Sequence, residues 1–233
     1  MKILVTGCAG FIGSRITWEL AKIGHEVIGI DNMSSYYDVR LKDARLKAFA
    51  GNWRFVEMSI ESMEQLDNLC KTERFDLIVH LAAQAGIRHS LNHPHEYIQT
   101  NIVGFLNVLE VCRKHTIQKL LYASSSSVYG KDSVSPFRED SVIDSPMSMY
   151  AISKRTDEMM AYTYSYLYGI NSVGLRLFSV YGPWGGPDMA PMIFAHALRA
   201  GESIPVFNQG NMVRDFTYIN DVVTGMCAAI NYL

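Results

Sequence analysis

Residues 148 to 154 read SMYAISK, which sets Tyr150 and Lys154 four positions apart. On a helix that spacing puts both side chains on one face. A phenol is a poor base at neutral pH because its pKa is about 10. Bringing a phenol to about 7 takes roughly 4 kcal/mol of preference for the phenolate. A lysine ammonium about 6 Å away supplies roughly 3 kcal/mol at an effective dielectric of 20. The positive charge of an oxidised nicotinamide would supply much of the remainder, so the pair is a candidate proton acceptor for a hydroxyl that loses hydride to that nicotinamide, whose ribose the same lysine would also hold. Taken alone, Y-x-x-x-K is common, and on most helices it is a solvated lysine beside a half-buried tyrosine. Its upstream context decides between the two readings.

Upstream, ASSSSVYG (123–130) places four successive serines at the end of an apolar run. Hydroxyls beyond the carboxyl end of a strand lie where ligands bind in open α/β sheets. The bland alternative is a polar turn. At the N-terminus VTGCAGFIG (5–13) sets Gly7, Gly10 and Gly13 between a strand-like run and a helical one, which Phe11 and Ile12 open. Such a loop brings backbone and a helix N-terminus close to a pyrophosphate. Asp31 ends the second strand-like run, where a carboxylate accepts hydrogen bonds from a ribose diol and repels a 2′-phosphate. No Arg or Lys occupies 32 to 35. The expected cofactor is NAD rather than NADP.

These residues need a scaffold. KILVT (2–6), EVIGI (26–30), RFVEM (54–58), DLIVHLA (76–82), KLLYAS (119–124) and SVGLRLF (172–178) read as strands, several apolar on successive residues, as in a parallel sheet covered on both faces. Helical patterns lie near 12–23, 39–50, 62–72, 96–115 and 149–168. The alternation predicts an α/β fold, a Rossmann-type doubly wound parallel sheet. Residues 1–178 form the expected NAD-binding domain carrying the catalytic residues. Residues 179–233 form a small, incomplete substrate-binding region, with 213–233 returning to the first domain. Within it YGPWGGPDMAP (181–191) reads as loop, and SIPVF (203–207) as a strand.

Composition narrows the class. Of 233 residues, 48% are hydrophobic and 19% charged, and the formal net charge of −2 gives no electrostatic reason to expect nucleic acid or an anionic membrane surface. No apolar stretch is long enough to span a bilayer and no signal peptide is apparent. The four cysteines read as reduced core thiols, which points to the cytoplasm. No metal site is expected from the seven histidines.

Together TGCAGFIG, the DN of Asp31 and Asn32, LAAQAGIRHS, SSSSVYG and YAISK resemble the extended short-chain dehydrogenase/reductase family of nucleotide-sugar epimerases and dehydratases. YYDVRLKDARL, YGPWGGPDMA and MVRDFTYINDVV resemble its UDP-glucuronate 4-epimerases more narrowly. The resemblance implies catalysis by Ser125, Tyr150 and Lys154. It implies an NAD site that also takes in Asn32, Ile60, Leu81, Ala82, Ala83 and Asn101. It implies a UDP-sugar held by Arg88, Ser125, Ser126, Ser127, Ser179, Phe207 and Arg214, with Phe207 stacked on uracil and Arg214 on the diphosphate. The implied reaction oxidises carbon 4 of the sugar, turns the 4-keto sugar over and returns hydride to its other face. A homodimer through the helices near 96–115 and 149–168 is also implied.

Within the family a 4,6-dehydratase carries Asp-Glu where this chain has Ser126 and Ser127, and a uronate decarboxylase carries Glu in place of Ser127. Both activities are therefore set aside, and UDP-galactose 4-epimerase remains the alternative enzyme. A non-catalytic NAD-binding protein is the alternative of another class. Ser59-Ile60 stands where relatives carry Asp-Ile or Asp-Leu, and Gly186 stands where many uronate epimerases carry Arg. The family's chains run longer, so a C-terminal truncation is expected.

Overall fold

The apolar runs become strands because their residues alternate between two separate cores. A computed structural model describes residues 1–206 and 208–233. Its order is β1 (Lys2–Thr6), α1 (Phe11–Lys22), β2 (Glu26–Asp31), α2 (Val39–Ala48), β3 (Trp53–Glu57), α3 (Met63–Glu73), β4 (Leu77–His80), α4 (Ile87–Asn92), α5 (Pro94–Tyr97), α6 (Gly104–Lys114), β5 (Lys119–Ala123), α7 (Met149–Tyr168) and β6 (Asn171–Leu175). Then come β7 (Ser179–Tyr181), α8 (Ala190–Ala200), β8 (Phe216–Tyr218) and α9 (Ile219–Tyr232). The first six strands form one parallel sheet in the order β3-β2-β1-β4-β5-β6. The expected Rossmann-type α/β architecture is the observed one.

Ile3, Val5, Leu77, Val79 and Leu121 face one side with Ile16 and Leu20 of α1. Leu4, Ile78 and Leu120 face the other with Leu66 of α3, Phe105 and Leu109 of α6, and Ala161 of α7. Side chains of period two thus fill both faces, which is why neither face needed polar residues. Helix α9 packs against α1 and lays Ile219, Val222, Val223, Met226 and Ile230 into the first of these cores. Burying five such side chains contributes on the order of 10 kcal/mol before entropic costs. Among the described residues no helix is long and apolar enough to cross a membrane.

Three local expectations are corrected. The helix expected over 96–115 is broken: α5 leads into a π-helical turn, Ile98–Val103, before α6 begins. Within that turn Asn101 spends its side chain on Gln84 and Ser153. The strand expected over 172–178 leaves the sheet at Leu175, and Ser179–Tyr181 pairs instead with β8. The strand expected at 203–207 does not form over 203–206, where Pro205 has no N–H to donate to a ladder.

Arg45 of α2 is fully buried. Its guanidinium donates to the Trp184 carbonyl at 2.8 and 3.0 Å, to the Ala9 carbonyl at 3.3 Å and to the Tyr37 hydroxyl at 2.5 Å. One side chain therefore ties the β1–α1 loop to the loop after β7. Each buried carbonyl left unpaired costs about 1–3 kcal/mol. Arg45→Met is expected to destabilise the chain by about 2–4 kcal/mol in urea unfolding. An unchanged midpoint would show that these carbonyls find other partners.

Candidate active site

The carboxyl edge of the sheet is crowded where β1 meets β4. Gly7 has φ +74, and a Cβ there would lie 2.7 Å from the Ala82 nitrogen and 2.8 Å from the Leu81 carbonyl carbon. A Cβ on Gly13 would lie 1.9 Å from the Gly7 oxygen. Only hydrogen fits at either position, so the loop folds flat under the first turn of α1. Gly10 caps that helix without any side-chain hydrogen bond. The first-turn N–H groups of Phe11, Ile12 and Gly13 are the ones an α-helix leaves without an internal partner. Across the loop, Thr6 Oγ1 accepts from Leu81 N and Ala82 N at 3.2 and 3.1 Å and bonds His80 Nδ1 at 2.9 Å. Burial, then the Lys154 charge, lowers the His80 pKa to about 3, so the imidazole is a neutral strut.

Asp31 sits at the end of β2, nearly buried. Its carboxylate accepts from Ala9 N at 3.1 Å, Met33 N at 2.9 Å and Lys42 Nζ at 3.0 Å. A carboxylate has about four acceptor positions, so capacity remains for a ribose hydroxyl. Lys42 was not picked out in the sequence because it lies 11 residues away on α2. Its ammonium is engaged by Asp31 itself, which leaves the preference for an unphosphorylated ribose intact. Glycine cradle, uncapped helix and acid together fit a dinucleotide. Asn32 adjoins Asp31, with its side chain accepting from Ser34 N. Ile60 is buried against Gly104, and Ser59 accepts from Glu61 N.

Ser148 caps α7 by accepting from Ala151 N at 3.1 Å, which places Tyr150 in the first turn and Lys154 one turn later. Tyr150 meets the buried Tyr97 ring edge-on at 6.1 Å. Asn101 Nδ2 donates to Ser153 Oγ at 2.9 Å, and its Oδ1 accepts from Gln84 N at 2.7 Å. It thereby joins the segment after β4, which holds Leu81, Ala82 and Ala83, to the turn that carries the tyrosine and lysine. Ser125 follows β5, 8% exposed, in a segment packed against α7. Its oxygen accepts from Ser127 N at 3.2 Å and Ser127 Oγ at 2.9 Å. With both acceptor positions taken, the Ser125 hydroxyl hydrogen is left to donate. Ser126 and Ser127 are half-buried beside it.

The expected sugar-nucleotide residues are more scattered. Arg88 is exposed on α4. Ser179 is half-buried on β7, where its N–H reaches the Asp215 carbonyl at 3.2 Å. That bond sets it beside the segment of Arg214, an exposed side chain that donates to the Val213 carbonyl. Phe207 lies outside the described residues. His89 and His93, for which no metal role is expected, stand four apart and converge with Glu96.

Asp157 is a further residue that no sequence motif singles out. It lies one turn beyond Lys154, fully buried, with Oδ2 3.1 Å from Lys154 Nζ and Oδ1 without a hydrogen-bond partner. Burial pushes its carboxyl up to about 6, against the pull of the Lys154 ammonium. From pH 4 to 6 the folded chain thus keeps a proton that the unfolded chain has released. This group's contribution to stability therefore falls as pH rises through that window. Asp157→Asn removes the fall, so its urea midpoint should gain on wild type between pH 4 and 6.5, by about 3 kcal/mol at most. Parallel profiles would place the Asp157 carboxyl in the ordinary range.

Compared with known proteins, residues 3–232 match the model of the NAD dependent epimerase/dehydratase family. The chain is 50% identical over 224 residues to Protein CapI of Staphylococcus aureus, covering 96% of this chain and 67% of that protein. It is 45% identical to UDP-glucuronate 4-epimerase 4 of Arabidopsis thaliana, over 98% of this chain but only 54% of the plant protein. Its fold superimposes on the crystal structure of UDP-glucuronic acid 4-epimerase from Bacillus cereus, in complex with UDP-glucuronic acid and NAD, with TM-score 0.90 and 34% identity, covering 98% of this chain and 73% of that one. With its glycine cradle, buried Asp31 carboxylate and tyrosine–lysine helix, the chain belongs to the NAD-dependent nucleotide-sugar epimerase/dehydratase family.

Proposed function

We propose that the chain epimerises a UDP-sugar at carbon 4, interconverting UDP-glucuronate and UDP-galacturonate through a transient 4-keto sugar. The observation that carries this reading is the grouping on α7 and β5. Tyr150 has a buried ammonium one turn away on its own helix, and Ser125 beside that helix keeps a hydroxyl hydrogen to donate. Bound NAD supplies the two-electron exchange with the sugar's carbon 4. The phenolic oxygen of Tyr150 takes the proton of the 4-hydroxyl and later returns it. Ser125 donates a hydrogen bond to the same oxygen and holds it in line. Lys154 contributes positive charge to the phenol and a donor to the cofactor's ribose.

The loop from Gly7 to Gly13 holds the pyrophosphate, Asp31 the adenosine ribose, and Leu81 to Ala83 with Asn101 the floor. Arg88, Ser126, Ser127, Ser179, Phe207 and Arg214 are assigned to the UDP-sugar. The uronate is favoured by the likeness to the plant and Bacillus enzymes, both named as UDP-glucuronate or UDP-glucuronic acid 4-epimerases. The second reading, UDP-galactose 4-epimerase, rests on Gly186, which brings no cation for a sugar carboxylate; an added Cβ would meet Asp188 Oδ1 at 2.7 Å.

The outer face of α7 exposes Met159, Tyr162 and Tyr166, the last two by 75% and 81%. A second copy would cover this face in a homodimer. The four cysteines are unpaired, three of them buried, which fits action in the cytoplasm.

The chain incubated with NAD and UDP-glucuronate is expected to give UDP-galacturonate by proton NMR. Tyr150→Phe should lower kcat by about 100- to 10,000-fold with NAD binding retained. Conversion of UDP-galactose alone would favour the second reading. NAD binding without turnover of either sugar would leave a binding protein.

A further inference from the structure

His89, His93 and Glu96 have no part in the site described above, yet they meet at one point. His89 lies on α4, His93 in the turn and Glu96 on α5. The two imidazoles stack with centroids 4.1 Å apart and planes 12° apart. His89 Nε2 lies 3.0 Å from Glu96 Oε2, and His93 Nδ1 lies 3.3 Å from Glu96 Oε1. One atom from each residue falls within 4.8 Å of the other two. Ligand bonds of about 2.0–2.1 Å in tetrahedral array put donor atoms roughly 3.3 Å apart, so each imidazole already stands near that distance from one of the two Glu96 carboxylate oxygens.

The platform beneath them is fixed. His93 N–H closes α4 on the His89 carbonyl at 3.0 Å, and Pro94 opens α5. Behind them the buried Tyr97 hydroxyl is 2.6 Å from the carbonyls of both Ala85 and Gly86, and Tyr36 packs edge-on against His89 at 4.9 Å. The His93 and Glu96 side chains are about half exposed, at 51% and 50%. They are free to make the small rotation that turns stacked rings into converging ligands, and water reaches the remaining coordination position.

We propose that His89, His93 and Glu96 form a three-ligand site for a divalent transition metal of the zinc class. Two imidazoles and a single carboxylate suit zinc, nickel or copper; magnesium and calcium require mostly oxygen ligands. The metal clamps the α4–α5 turn and keeps one position open to solvent.

The test is titration of tag-free, chelator-treated chain with zinc chloride by calorimetry, with cobalt absorption as a second readout. Expected are one zinc per chain, a tetrahedral-type cobalt spectrum and no competition from magnesium. His93→Ala and Glu96→Gln should each weaken binding at least about tenfold, with the metal-free unfolding midpoint unchanged. His95→Ala, an exposed neighbour, should bind as wild type. No saturable binding, binding undiminished in both variants, or an equal loss in His95→Ala would overturn the site. None of these readouts depends on catalysis, so the outcome is separate from that of the epimerase assay.

Discussion

The structure depends on one close approach of backbone to backbone. At the carboxyl edge between β1 and β4, Gly7 lies against Leu81 and Ala82, and Gly13 lies against Gly7. This is the point where strand order reverses, β1 running out to β2 and β3 on one side and β4 to β6 on the other. Crevices at such reversals are where open α/β sheets bind their ligands. The missing side chains at Gly7 and Gly13 turn that crevice into a flat cradle. A methyl at either position would push the loop into neighbouring backbone, which has nowhere to go.

Around the cradle, buried charge is paired in two places among the described residues. Lys42 meets Asp31 at the end of β2, and Lys154 meets Asp157 one turn below Tyr150. Burying an ion pair gains little net stability and breaking one costs much. The pairs are better understood as fixing where a carboxylate and an ammonium point. Arg45 does comparable work between loops, since its donors reach from the first loop to the one after β7. Elements far apart in sequence are thus locked around a single edge of the sheet.

Much of this was legible in the chain itself. Apolar runs on successive residues imply a sheet covered on both faces, and the glycine spacing with Asp31 implies a dinucleotide. Tyr150 and Lys154 were legible because helical spacing is a local property, and α7 spans Met149–Tyr168. The misjudged segments were those whose fate depends on distant partners. Residues 96–115 carry a helical pattern, but Asn101 prefers partners across the site and widens the turn. Leu177 and Phe178 have strand-like composition, yet the sheet ends at Leu175.

The sequence by itself determined the periodicities, the glycines and the helical tyrosine–lysine pair, because each rests on residues within one or two turns of each other. Only the tertiary structure decided that Lys42 answers Asp31, that Asp157 is buried beneath the lysine, and that two histidines and a glutamate converge beside Arg88. Those pairings depend on burial and on which helix ends meet. A carboxylate three residues from a lysine is an ordinary solvated pair until the fold removes the water around it.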